Sequence, residues 1–258
     1  MINSIEIKRR KKLSNTISVI SIIALLLILI TSGSLFPSAN GQTTSTCTNL
    51  ESKNALPVLL IHGWNEGSGG SLLIHFDEWK QRLNQEKIPF CIVTFVQSND
   101  ACGSSADHAK ELAQIVQNII SETGQNQVNI VGFSKGGLDA RVYLANDLTN
   151  DDVANLIMVG TPNAGSGFAV GSFICVPAVF DLLRGSDATE AERNTHTKYH
   201  TIAGICFIFP IKGDGLVSES SVNSQPYFNH LGFSSNCHLN LLGSFEYGLA
   251  HDVLIGRQ

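Results

Sequence analysis

The stretch VNIVGFSKGGLDARVYL, residues Val128 to Leu144, decides the fold. It begins with an apolar, β-branched run that is typical of a buried strand, and it ends in a segment with helical periodicity. Between the two stands Ser134 in the pattern G-x-S-x-G (GFSKG, residues 132–136). A serine at the apex of a strand-to-helix turn takes a strained backbone conformation, and glycines on both sides relieve the crowding. The stretch therefore predicts an outward-facing serine hydroxyl at the carboxyl end of a strand.

Strand-like apolar runs alternate with helical segments on both sides of this stretch. The other predicted strands are PVLLIHG (Pro57–Gly63), FCIVTFV (Phe90–Val96), ANLIMVGTP (Ala154–Pro162) and YHTIAGICFIFP (Tyr199–Pro210). The other predicted helices cover Phe76–Lys87, Ser104–Thr123 and Leu239–Gly256, the last with a break near Gly248. This alternation predicts an α/β fold with a mostly parallel central sheet and helices on both faces. Ligands bind such sheets beyond the carboxyl ends of the strands, where we expect His62, Ser134 and Thr161.

Residues 163–198 interrupt the regular pattern. The segment is glycine-rich at first, then apolar from Phe168 to Leu183, and then charged. We expect a flap-like insertion close to the predicted site. It is either a lid that contacts substrate or a plain part of the scaffold.

The N-terminal segment has the order of a secretory signal peptide. A basic run, Lys8–Lys12, precedes an apolar run of fourteen residues, Ile17–Ile30, and small and polar residues follow. The apolar run is shorter than the roughly 20 residues that span a bilayer. We predict a signal peptide over residues 1–41, a linker over 42–55 and one α/β domain over 56–258. The alternative is an uncleaved membrane anchor, and both interpretations predict export.

Charge and cysteines narrow the class of protein further. The chain carries a formal net charge of −5 although its first 41 residues are basic, which argues against nucleic acid and anionic membrane surfaces as main partners. All six cysteines follow the signal segment, and an even number in an exported chain favours disulfides. None of them has zinc-ligand spacing. We expect the pairs Cys91–Cys102 and Cys206–Cys237.

A serine nucleophile needs an acid and a histidine base. Asp214 is the preferred acid because it lies in a turn, KGDGLVS, directly after a predicted strand. The other aspartates considered lie in the irregular insertion or at helix ends: Asp181, Asp187, Asp151 and Asp152. A structural Asp-Gly turn is the alternative for Asp214.

His238 is the preferred base because it follows Asp214 in a polar loop before the closing helix, which yields the chain order Ser134, Asp214, His238. His230 and His251 remain alternatives, whereas His62 precedes the serine. The other histidines are expected to be surface or structural residues: His75, His108, His196 and His200.

The sequence resembles the α/β-hydrolase superfamily, and within it the bacterial-type triacylglycerol lipases and carboxylesterases. The matching pieces, in the family's order, are PVLLIHGW (57–64), VGFSKGGLDAR (131–141), GTPNAGS (160–166), IAG (202–204), GDGLVS (213–218) and CHLNLL (237–242). The resemblance implies Ser134 as nucleophile, Asp214 as acid and His238 as base. It also implies an oxyanion hole formed by the backbone N–H groups of Trp64 and Lys135. Arg141 and the turn Gly160–Pro162 take structural, supporting roles.

The resemblance also bears on metals, cofactors and substrates. Some of these lipases bind structural calcium through an aspartate just after the catalytic histidine, but this chain has His238-Leu239-Asn240 there. We therefore predict no required metal and no cofactor. The implied function is a secreted serine hydrolase of carboxylic esters that acts through an acyl-enzyme on small-molecule or lipid substrates, with contact at a lipid interface. The alternatives are a thioesterase, an amidase, a polyester depolymerase, or a non-catalytic binding protein on this scaffold.

Lys135 directly follows the nucleophile and raises the alternative of a Ser–Lys dyad. Adjacent side chains on a strained turn point apart, so the ammonium is not expected to reach the Ser134 hydroxyl. We expect the Lys135 side chain to lean outward to water or to a nearby carboxylate.

Overall fold

The computed structural model describes residues 45–64, 76–100, 102–167, 175–207 and 211–257. All elements named below lie in one unit, Thr43–Gln258. The predicted signal peptide, residues 1–41, falls outside the described residues. Among the helices that are described, none is long and apolar enough to cross a membrane.

Seven strands of the described residues form one sheet in the order β1-β3-β2-β4-β5-β6-β7. The strands are β1 (Thr46–Thr48), β2 (Val58–Ile61), β3 (Phe90–Ile92), β4 (Val128–Phe133), β5 (Val153–Val159), β6 (Lys198–Gly204) and β7 (Asn229–Ser234). All neighbouring pairs are parallel except β1 with β3. The carboxyl ends of β2, β4, β5 and β6 therefore meet at one edge of the sheet, as predicted.

Helices cover both faces of the sheet, which confirms the predicted layers. They are α1 (Asp77–Gln85), α2 (Ser105–Thr123), α3 (Lys135–Asn146), α4 (Val176–Asp181), α5 (Glu219–Val222) and α6 (Ser244–Leu254). One core packs α1 and α6 against the face that carries Val58 and Val131. The other packs α2 and α3 against the face that carries Leu59 and Ile130. Because both faces are covered, every residue of β2 and β4 is buried, and this explains their continuous apolar runs.

Three elements differ from the sequence prediction. The predicted linker, residues 42–55, contains the edge strand β1. The polar stretch before His238 contains β7, which lies at the sheet edge and is only half-buried, so it lacks a clear apolar pattern. The closing helix α6 continues through Gly248 without the predicted break. A glycine in an exposed helix position lowers helix stability by about 1 kcal/mol, which tertiary packing can outweigh.

The six cysteines form three disulfides, Cys47–Cys91, Cys102–Cys175 and Cys206–Cys237. The prediction for Cys206–Cys237 is confirmed, and the prediction of Cys91–Cys102 is wrong. Cys91 lies on β3 directly opposite Cys47 of β1, a neighbour created by strand pairing. Cys102 precedes α2 and bonds Cys175, the residue that precedes α4 in the insertion.

Candidate active site

Ser134 stands between β4 and α3 in a conformation that is rare for a residue with a side chain, φ 50° and ψ −122°. Its N–H donates to the carbonyl of Val159 over 2.9 Å, which ties the turn to β5. A Cβ at Gly132 would lie 2.5 Å from the Gly137 backbone, and one at Gly137 would lie 2.1 Å from Oγ1 of Thr161. These positions must be glycine because the start of α3 packs directly on the ends of β4 and β5.

A hydrogen-bonded chain connects Ser134, His238 and Asp214. Nε2 of His238 lies 2.9 Å from Oγ of Ser134, and Nδ1 lies 2.7 Å from Oδ2 of Asp214. Asp214 and His238 are 1% and 5% exposed. The histidine is therefore placed to accept the serine proton while the carboxylate fixes its orientation. The structure thus brings together the three side chains that the sequence predicted, and their catalytic roles are taken up below.

The loop around Asp214 fixes this carboxylate. Oδ1 of Asp214 accepts the N–H groups of Leu216 and Val217 at 2.9 and 2.7 Å, which leaves Oδ2 directed at the histidine. The carbonyl of Asp214 accepts the N–H of His238 over 2.9 Å. The Cys206–Cys237 disulfide adds a covalent link between the residue before His238 and the chain that leaves β6.

The two expected oxyanion donors belong to neighbouring backbone segments. A Cβ at Gly136 would lie 2.4 Å from the carbonyl oxygen of His62, so the end of β2 and the start of α3 are in direct contact. Within the part of the chain that the structure describes, neither the Trp64 nor the Lys135 backbone N–H donates to another protein group. Lys135 is also the first residue of α3, where the helix dipole favours negative charge.

The Lys135 side chain does not reach water, and the expectation that it leans outward to solvent is wrong. It is 1% exposed, and Nζ lies 2.5 Å from Oδ1 of Asp139 and 3.7 Å from Oδ2 of Asp181. Asp139 also lies 2.9 Å from Nδ1 of His108 and accepts the Ser105 hydroxyl over 2.6 Å. Asp139 is therefore the nearby carboxylate that was expected as the alternative to water, and it belongs to a buried cluster that connects α2, α3 and α4.

The pKa values of two carboxylates in this cluster are shifted in opposite directions. Burial raises the pKa of Asp139, but the Lys135 ammonium and the His108 hydrogen bond outweigh burial and hold that pKa well below its usual value. Burial raises the pKa of Asp181 above its usual value, against the opposing effect of Lys135. The Lys135 ammonium is thus paired with Asp139, which argues against its acting as a base toward Ser134.

The other candidate acids and bases lie away from Ser134. His230 contacts Thr201, and His251 on α6 contacts Glu86. Asp187 and Asp151 are exposed, and Asp152 accepts a hydrogen bond from Gln117. Of the expected surface or structural histidines, His196 is exposed, His108 and His200 are buried, and His75 lies outside the described residues.

An apolar cavity of about 730 Å³ adjoins the loop that carries Asp214. Its lining includes the apolar side chains of Leu183, Phe207, Ile211, Leu216 and Val217. Residues 165–167 of the insertion form another part of the wall. The insertion thus shapes the surface next to the predicted acid.

Two side chains had no role in the sequence prediction: His62, which was expected at this edge of the sheet, and Asp100, which was not. His62 and Asp100 form a pair with 2.8 Å between Nε2 and Oδ1, and Asp100 also accepts the Phe95 N–H over 2.6 Å. His62 precedes the Gly63-Trp64 peptide, which was the available sequence signal. Asp100 had none, because its loop reaches the site only through the fold.

The family model for palmitoyl protein thioesterase matches residues 57–202, which is more than half of the chain. The chain belongs to the palmitoyl protein thioesterase family. Its membership accords with the predicted resemblance, because the matched residues contain β2, the Ser134 turn and the whole insertion. The match ends before Asp214 and His238.

Curated relatives and solved structures that resemble this chain include several lipases. A triacylglycerol lipase of Pseudarthrobacter phenanthrenivorans is 28% identical over 44% of this chain and 35% of its own. One of Pseudomonas fragi is 29% identical over 44% of this chain and 36% of its own. This chain thus spans about a third of the length of these relatives. A lipase of Bacillus licheniformis in its mature form superposes with a TM-score of 0.65 at 21% identity, covering 79% of this chain and 93% of that one. The α/β-hydrolase fold is confirmed.

Proposed function

We propose that this protein is a serine hydrolase that cleaves carboxylic esters through an acyl-enzyme, with Ser134, His238 and Asp214 as its catalytic residues. The observation that carries the proposal is the chain of contacts at 2.9 and 2.7 Å that joins the three side chains. Ser134 alone is a weak nucleophile, and a histidine at hydrogen-bond distance that is itself held by a carboxylate is what activates it. The lipases among the relatives and structural neighbours support an ester substrate.

The proposed reaction has two halves. His238 accepts the Ser134 proton as the hydroxyl oxygen attacks the ester carbonyl, and the backbone N–H groups of Trp64 and Lys135 donate to the resulting oxyanion. His238 then gives the proton to the leaving alcohol, and the acyl group stays on Ser134. Water repeats the sequence and releases the acid. Asp214 keeps Nδ1 protonated and stabilises the imidazolium in both halves.

The substrate is proposed to carry an apolar acyl group. The cavity beside Asp214 is large enough to receive one, and its described lining includes five apolar side chains and one charged residue, Arg184. Thioesters are a second candidate, favoured by the family model that matches residues 57–202. The same three side chains serve both substrates because an alcohol and a thiol leave from the same tetrahedral intermediate.

The decisive experiment compares wild type with Ser134→Ala on matched esters and thioesters that share one acyl chain, over a series of chain lengths. We expect Ser134→Ala to lose at least about 10³-fold in kcat, within the range seen for removal of such a nucleophile. A fluorophosphonate should label wild type at Ser134. Full activity of Ser134→Ala, or an unlabelled wild type, would reject a serine hydrolase and favour a binding protein.

We also propose that the protein is exported. All six cysteines are paired in disulfides, which persist in oxidising compartments. N-terminal sequencing of the protein from the culture medium should find a start near residue 42. Intact protein in the membrane fraction would favour the uncleaved anchor.

A further inference from the structure

Both ring nitrogens of His62 face oxygen atoms. Nδ1 lies 2.8 Å from the carbonyl oxygen of Gly63, and Nε2 lies 2.8 Å from Oδ1 of Asp100. Carbonyl and carboxylate oxygens accept hydrogen bonds and do not donate them. With Asp100 ionised, both nitrogens face acceptors and carry a proton, and the ring is then an imidazolium paired with the Asp100 carboxylate.

Asp100 is itself held in place. It is 9% exposed, and the same Oδ1 accepts the backbone N–H of Phe95 over 2.6 Å. The Phe95 ring meets the His62 ring edge-on, with 6.3 Å between the ring centres. The loop that follows β3 thus fixes the position of His62 from outside its own strand.

The bond from His62 to Gly63 acts on one peptide unit. The Gly63 carbonyl and the Trp64 N–H belong to the same planar trans peptide and point in opposite directions. When His62 holds the carbonyl oxygen, it also sets the direction of the N–H. A charged donor on the carbonyl polarises the amide as well and makes its N–H a stronger donor.

We propose that His62 is a positioning residue of the oxyanion hole: as an imidazolium held by Asp100, it aims and polarises the Gly63–Trp64 peptide. The inference rests on the proposed acyl-transfer function, in which the Trp64 N–H donates to the oxyanion. The negative charge develops only in the transition state, so the effect of His62 falls on kcat and not on substrate binding.

The test measures His62→Phe with an ester substrate and with an alkylboronic acid, which forms a tetrahedral adduct on the serine. We expect kcat to fall by about 10- to 100-fold with KM within about twofold, less than the complete loss of an oxyanion donor. The inhibition constant of the boronic acid should rise by the same factor as kcat/KM falls. A merely structural role would lower Tm without this correlation.

The matched control is His251→Phe, since His251 also pairs with a carboxylate, Glu86 at 2.9 Å, but lies on α6. We expect its kcat and boronic acid affinity to equal those of wild type. Asp100→Asn replaces the carboxylate with an uncharged side chain of the same shape. This variant takes the place of His62→Phe in the test if His62→Phe fails to fold. It should lower kcat in the same direction, and combining it with His62→Phe should add no further loss.

Nitrogen-15 NMR of histidine-labelled protein measures the protonation state of the His62 ring nitrogens independently of catalytic activity. At pH 7 both His62 nitrogens should carry protons, with the signals assigned by their absence in His62→Phe. A neutral ring, or wild-type kcat and boronic acid affinity in His62→Phe and Asp100→Asn, would overturn the inference while the proposed function stands. An inactive wild type that is not labelled at Ser134 would instead reject both.

Discussion

Gly160 decides how closely β5 approaches the predicted acid and base. Its φ is +58°, and a Cβ there would lie 3.3 Å from both Oδ2 of Asp214 and Cε1 of His238 and 2.8 Å from the Leu241 side chain. Gly185 has a similar φ of +73°, but a Cβ there would meet nothing within 4 Å. An alanine at either position is strained by the positive φ, but only an alanine at Gly160 is also crowded by neighbouring side chains. Comparing the two variants therefore distinguishes the effect of strain from that of crowding.

We predict that Gly160→Ala lowers kcat by at least about tenfold, because the methyl group displaces Asp214 or His238 by a few tenths of an ångström. Both Gly160→Ala and Gly185→Ala should lose about 1–2 kcal/mol of unfolding free energy through the positive φ. Ester kinetics and urea unfolding of the two variants provide the measurements. Equal activity in both would contradict the prediction.

At the scale of elements, Arg141 of α3 holds the insertion on the body of the domain. Its guanidinium is buried and donates to the carbonyl and side-chain oxygens of Asn163 and to the carbonyls of Thr189 and Ala191, each over 3.2 Å. Both ends of the insertion thus meet on one side chain. The resemblance implied a structural role for Arg141, and these contacts define it.

We predict that Arg141→Met lowers the unfolding free energy by at least about 3 kcal/mol, because several buried oxygens lose their donor together. Arg193→Met is the control: Arg193 is exposed and lies over the Tyr227 ring, 4.7 Å from its centre, a contact worth about 0.5–1 kcal/mol. Urea unfolding measures both, and limited proteolysis should cut residues 184–193 faster only in Arg141→Met. Similar losses in both variants would count against this role.

At the scale of the whole molecule, the buried His200 contributes to the response to acid. Nε2 of His200 lies 3.1 Å from Oδ1 of Asn155, and Asn229 Nδ2 lies 3.1 Å from its Nδ1. These partners suit a neutral ring that donates once and accepts once. Burial, with a smaller effect of Lys198, lowers the pKa of His200 to about 4. Burial also lowers the pKa of His230.

We predict that the unfolding free energy falls by about 2 kcal/mol between pH 7 and pH 4.5 through His200. The unfolded ring takes up its proton near pH 6.5, whereas the folded ring does so only near pH 4. The contribution is therefore complete above about pH 6.5 and is lost as the pH falls. Urea unfolding at several pH values should show a shallower dependence for His200→Gln. The control, His196→Gln, replaces an exposed histidine and should keep the wild-type slope.

Much of the fold and of the candidate site could be predicted because the signals are local. The strand, turn and helix around Ser134 are encoded in one stretch of residues, and the chain order placed Asp214 and His238 after it. Strand β7 was missed because an edge strand that is half-buried needs no apolar alternation. Cys91 was given the wrong partner because nearness in sequence is a poor guide when strand pairing brings Cys47 opposite it.

By itself, the sequence determined the alternation of strands and helices, the strained turn that presents Ser134, and the candidates for its acid and base. Periodicity and backbone strain depend on residues that are close in sequence, so both can be predicted from the sequence alone. Only the tertiary structure decided that Lys135 is buried against Asp139, that Arg141 holds the insertion, and that Asp100 reaches His62. The contacts of Arg141 and Asp100 join separate elements, whereas Lys135 and Asp139 both lie on α3. All three depend on burial that exists only after the sheet and helices have packed.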